Sequence, residues 1–120
     1  MGFKTLVAYQ NAFELAMDLF HKSKEFPAEE KYDLTSQIRR SSRSVCAAIA
    51  EAYRKRQYEK HWKSKLSDAD SENTETQLWL EFALACEYIS SKEKKKFDNL
   101  SLEVGKLLNF MINNPGKFGL

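Results

Sequence analysis

The chain has 120 residues and a mass of 13.9 kDa, enough for one domain whose hydrophobic core needs neither metal nor disulfide support. Its 19 Lys plus Arg against 17 Asp plus Glu leave a net charge of only +2, so bulk charge by itself identifies no polyanionic partner. The sequence has no apolar run of the roughly 18 residues a membrane helix requires, and its N-terminus carries no signal-like segment, so the expectation is a cytoplasmic protein without a membrane partner.

Taken in chain order, Phe3 to Ala8 is an apolar lead-in to a first helix over Tyr9 to Lys24, with Ala12, Phe13, Ala16, Leu19 and Phe20 directed inward. Phe26 and Pro27 end it, because proline cannot continue the helical hydrogen-bond ladder. A second helix spans Asp33 to Arg56, with Asp33 as its expected N-cap. Leu34, Ile38, Ser42, Val45, Ile49 and Ala52 recur at spacings of three or four and form its buried stripe.

The third helix extends from Glu59 to Ile89. Trp62, Leu66, Ala69, Asn73, Thr76, Leu80 and Ala83 make one stripe, and Leu78, Phe82, Ala85 and Ile89 make a second. Two stripes imply two neighbours, within the bundle or across a subunit boundary. Its polar middle, Asp68 to Gln77, interrupts the apolar pattern. Ser90 and Ser91 mark a turn, and a fourth helix runs from Lys92 to Asn113 with Leu100, Val104, Leu107, Leu108 and Met111 on its apolar side. Asn114, Pro115, Gly116 and Gly119 read as a terminating tail. Four helices with short turns predict an all-α, up-down-up-down four-helix bundle over residues 1–120.

Charge is distributed unevenly along these elements. Residues 31–63 hold nine basic and three acidic residues, whereas residues 64–91 hold one basic and six acidic ones. On a 3.6-residue period Arg39, Arg43 and Arg54 share a flank of the second helix, with Arg40 a little further round. Lys55, Arg56, Lys60 and Lys63 extend the basic field across the following turn. Two readings stand. In one, these eight residues contact phosphate oxygens of RNA or DNA, with Tyr53 and Tyr58 near the turn either stacking on bases or anchoring the helix junction. In the other, the arginines meet Glu72, Glu75, Glu81 or Glu87 of another helix or subunit, and the protein is a structural adaptor for a protein partner.

Chemistry of other kinds has little support in the pattern. Cys46 and Cys86 sit inside helical runs without metal-ligand spacing and read as small core side chains. Glu72 and Glu75, three apart, read as a solvated acidic face, and the serines from Ser36 to Ser44 lack a nucleophile elbow or a phosphate-cradling glycine loop. The expectation is a protein that is not an enzyme and that carries no cofactor and no metal. The Lys92 to Lys96 run reads as the charged opening of the last helix.

The order of residues resembles the bacterial four-helix proteins encoded in intervening sequences of 23S ribosomal RNA genes. The resemblance begins with Phe3, Leu6, Ala8, Gln10, Ala12 and Leu15 and continues through Phe26, Pro27, Glu30, Tyr32 and Leu34. It is densest at Gln37, Ile38, Arg39, Arg40, Ser44, Ile49, Ala50 and Glu51, and recurs at Ser71, Glu72 or Glu75, and Leu78. Ala52 and Asp70 stand where that pattern commonly has glycine. The resemblance implies a four-helix bundle that assembles as a homopentamer. Through the similar accessory proteins of diversity-generating retroelements, it also implies binding of nucleic acid and of a reverse transcriptase.

Overall fold

The computed structural model describes residues 2–119. Four helices carry the fold: α1 (Val7–Ser23), α2 (Leu34–Arg54), α3 (Glu59–Ala85) and α4 (Ser91–Asn113). Short 3-10 turns at Gly2–Thr5, Ala28–Glu30 and Pro115–Phe118 flank them. At about 1.5 Å per residue the 27 residues of α3 account for most of the 45 Å long axis. Each helix packs on its neighbour in sequence, and α1 closes the ring against α4. The cross-helix contacts run in reverse register: Arg40 meets Glu72 while Glu51 meets Lys65, and Trp62 meets Met111 while Glu81 meets Lys94. This is the up-down-up-down bundle that the apolar periodicity predicts.

All six stripe residues of α2 and all seven of α3 are buried. They divide into two apolar clusters. The lower cluster gathers Val45, Ile49, Trp62, Leu66, Val104 and Leu108, and the upper cluster gathers Leu19, Ile38, Leu80, Ala83, Ile89 and Phe97. Burying one such aliphatic side chain contributes about 1.5–3 kcal/mol. Between the clusters lies a polar layer, which is where the interruption in α3 falls. The Asn73 amide donates to the Ser101 carbonyl at 2.9 Å, the Ser101 hydroxyl donates back to Asn73 Oδ1 at 2.9 Å, and Gln77 Nε2 donates to Ser101 Oγ at 2.9 Å. Ser41 and Thr76 share a hydrogen bond of 2.8 Å across α2 and α3. Because these buried groups satisfy one another, α3 passes through the polar stretch as one continuous helix.

The boundaries depart from the periodic reading in four places, each with a local cause. Helix α1 starts at Val7, after a 3-10 turn that absorbs part of the lead-in. Asp33 occupies the N-cap position of α2 without a side-chain cap; instead the Glu30 carboxylate accepts the Leu34 N–H at 3.2 Å. Helix α2 stops at Arg54, leaving Lys55 and Arg56 in the turn. Helix α3 stops at Ala85, because Glu87 adopts a left-handed conformation (φ 63°). There the Glu87 N–H reaches the Leu84 carbonyl and the Tyr88 N–H reaches the Ala83 carbonyl, both at 2.9 Å. That pair is the Schellman closure, here built without the usual glycine. Ile89 therefore packs from the turn into the upper cluster. Ser90 then caps α4 in a reciprocal box with Glu93.

One expected packing assignment is corrected here, and another is answered only in part. Phe13, expected inside, is 49% exposed, since it lies about 100 degrees round α1 from the buried Ala12. The second stripe of α3 is divided: Ile89 packs into the core beside Phe97, whereas Leu78 is 48% and Phe82 50% exposed.

Candidate nucleic-acid interface

Arg39 and Arg40 are adjacent in sequence, so their Cα–Cβ vectors differ by about 100 degrees and they meet different helices. Arg39 turns toward α1. Its Nε donates to Ser23 Oγ at 2.7 Å, and its guanidinium lies 4.9 Å from the centre of the Phe20 ring. A second N–H reaches the Phe20 carbonyl at 3.5 Å, which places a cation against the C-terminal end of α1, where the helix dipole favours it. One turn along α2, Arg43 lies 5.5 Å from the same ring, and Lys24, at the C-cap of α1, lies 4.6 Å from it. Phe20 is thus a half-buried aromatic hub for three cations. Among the described residues, no carboxylate lies within 4 Å of Arg39, Arg43 or Lys24.

Arg40 turns the other way, toward α3. Its Nη1 donates to both Glu72 oxygens at 3.2 Å, its Nη2 donates to Glu75, and its Nε donates to Gln37 at 3.1 Å. These N–H groups hold Glu75 below the ordinary carboxylate range, while burial raises Glu72. The basic flank is therefore split. Arg39 and Arg43 converge on Phe20, and Arg40 is engaged by the carboxylates that the assembly reading paired with it, within one chain. The same ion pair accounts for the Glu72 and Glu75 face.

A second basic group forms at the α2–α3 corner, about 16 Å along the helix from Arg43. Arg54, Lys55, Arg56, Gln57, Tyr58 and Gly119 line an open cleft of about 430 Å³. Arg56 stacks 4.2 Å above the Tyr53 ring and donates to the Tyr53 carbonyl at 3.0 Å. Tyr53 is half-buried against the lower core and anchors the junction, whereas Tyr58 is 54% exposed. Lys60 and Lys63 are exposed on the first turns of α3, with Glu59 3.8 Å from Lys63.

Other charges settle into structure. Lys94, in the basic opening of α4, is buried and bridges Glu81 and Asp98, and Lys22 ties α1 to Glu93 of α4 at 2.9 Å. Cys46 is half-buried, its thiol pushed up to about 11 by burial. Cys86, expected in the core, is exposed where α3 ends. Phe20 and Lys24 were not among the basic-site residues read from the sequence. Their spacing of four was visible, but their place beside Arg39 and Arg43 depends on how α1 docks on α2.

These contacts define a small all-α bundle, with no helix among the described residues long and apolar enough to cross a membrane, and with cations grouped along one flank. A family model described as "23S rRNA-intervening sequence protein" matches residues 4–110, and the chain belongs to that family. It is also similar to a crystal structure, at 1.70 Å resolution, of a protein of unknown function from the S23 ribosomal protein family of Bacteroides thetaiotaomicron. The two are 32% identical with a TM-score of 0.81, over 89% of this chain and 96% of the other. Among curated proteins, none matches the chain.

Proposed function

We propose that the protein is a non-enzymatic, homo-oligomeric nucleic-acid-binding protein whose phosphate contacts come from the cationic flank of α2 and the α2–α3 corner. The observation that carries this reading is the convergence of Arg39, Arg43 and Lys24 on Phe20 without a carboxylate partner among the described residues. Cations held in place by an aromatic ring, but not neutralised, retain their attraction for phosphate. Arg54, Lys55, Arg56, Lys60 and Lys63 continue the field, and Arg40 serves the fold. The family's description refers to 23S rRNA, which makes RNA the first nucleic acid to test.

Self-association fits the exposed Leu78 and Phe82 stripe on α3, and the family resemblance implies a pentamer. Repeating a weak basic patch raises avidity wherever one strand reaches several copies. The alternative reading makes the protein a structural adaptor for a protein partner, such as the reverse transcriptase of a retroelement, with the basic and acidic faces serving assembly.

Light scattering coupled to size exclusion, with RNA and DNA of mixed sequence across a salt series, tests the proposal. A discrete oligomer that shifts on adding nucleic acid, with binding weakened by salt, is the expected result. An oligomer that leaves every nucleic acid free at low salt would favour the adaptor.

A further inference from the structure

Beside the arginine flank, α1 presents a row of aromatic rings. Phe3 packs edge-on against Tyr9 at 4.9 Å, Tyr9 stacks on Phe13 at 6.0 Å with 29° between the planes, and Phe20 lies two turns beyond Phe13. Residues 13 and 20 are seven apart, so they lie within about 20 degrees of one another on the helix. Tyr9 to Phe20 covers about 17 Å of its length. Phe13 is 49% and the intervening Met17 38% exposed. The acidic residues of this helix avoid the row: Asp18 falls about 160 degrees and Glu14 about 120 degrees round from Phe20. At its far end the row meets Arg39, Arg43 and Lys24 around Phe20.

An exposed phenyl ring has no hydrogen-bonding group with which to read a base edge, and a duplex keeps the faces of its bases stacked inside. A single strand offers both what the rings accept, a base face, and what the cations accept, a phosphate. Resting on the nucleic-acid reading above, we infer that the ligand is single-stranded RNA or DNA, with a base stacking on the exposed Phe13 ring, which half-buried Tyr9 backs, and the backbone following Arg39 and Arg43. The cations on the rim, with no carboxylate partner among the described residues, match a phosphate backbone; a second copy of the chain bringing exposed carboxylates of α3 to them is the competing occupant that the oligomer mass below tests.

The test compares a fluorescent 20-nucleotide single strand with the same sequence in a duplex, by anisotropy at fixed salt, for the wild type, Phe13→Leu and Arg43→Gln. Leucine keeps the apolar surface and removes the ring. Expected are tighter binding of the single strand by the wild type and a roughly five- to hundred-fold loss of that affinity in Phe13→Leu. Duplex binding and oligomer mass should be unchanged in that variant, while Arg43→Gln should weaken both nucleic acids. Equal binding of single strand and duplex, or an unaltered single-strand affinity in Phe13→Leu, would overturn the inference and leave nucleic-acid binding standing. A change of oligomer mass in Phe13→Leu would assign the row to a second copy instead. Binding of neither nucleic acid by the wild type would overturn the underlying reading, and this one with it.

Discussion

Replacing Arg40 by glutamine should reduce stability while leaving nucleic-acid affinity almost unchanged, and Arg43→Gln should do the reverse. Arg40 spans α2 and α3 with hydrogen bonds to two carboxylates, but its side chain is 43% exposed and those of Glu72 and Glu75 are 26% and 32% exposed. A solvent-exposed pair is worth about 0.2–1 kcal/mol. Two such contacts sharing one guanidinium, discounted for screening, amount to about 1 kcal/mol, and the substitution also leaves two neighbouring carboxylates without their cation. For a domain of this length that corresponds to roughly 4 °C in Tm. Urea and thermal melts of both variants, paired with oligonucleotide anisotropy, provide the assay. Arg40→Gln should lose that stability and change affinity less than about twofold, since its charge is already offset. Arg43→Gln should melt within about 0.5 kcal/mol of the wild type and bind several-fold more weakly. An Arg40→Gln variant that melts like the wild type yet binds as poorly as Arg43→Gln would refute the division of the flank.

Three further outcomes follow from the fold. Asn73→Ala removes two buried hydrogen bonds with Ser101 and opens a small void, so it should cost about 2–3 kcal/mol, read as a lower urea midpoint. Glu87→Gly relieves a left-handed residue at the end of α3 and should stabilise by about 0.5–1 kcal/mol after the unfolded-state entropy of glycine is subtracted; a lower Tm would contradict the Schellman assignment. Glu93 is held below the ordinary carboxylate range, first by the Ser90 N–H and then by Lys22. Its contribution is therefore present above pH of about 4.5 and lost as pH falls through its folded value, and Glu93→Gln should flatten the stability profile on that acid side, as followed by melts between pH 6 and 3.

The residues that decide the bundle were legible because a single helical period determines them. The stripe that runs from Leu34 to Ala52 and the one from Trp62 to Ala83 are buried as their spacing requires. Periodicity gives an angle round a helix, however, and leaves open which neighbour stands at that angle. Arg39 and Arg40 differ by one step, and only the positions of α1 and α3 determine that one meets Phe20 and the other Glu72. Phe13 lay at the edge of its stripe, where a small rotation separates core from surface. The end of α3 was hidden for a different reason: no glycine announces the left-handed residue at Glu87, and burial of Ile89 against the upper cluster draws the chain round. The S-x-x-E pattern from Ser90 to Glu93 was available as a helix start, and the cap places it there.

The most direct test of nucleic-acid binding by the α2 flank is the salt dependence of affinity for one single-stranded oligonucleotide, measured for the wild type and for the Arg39→Glu, Arg43→Glu double variant, with mass checked by light scattering. Each phosphate contact contributes about −0.7 to the slope of log K against log salt on a single strand. The account predicts a negative slope for the wild type and, at unchanged oligomer mass, weaker binding with a shallower slope for the double variant. Identical slopes and affinities in two proteins of the same mass would contradict it.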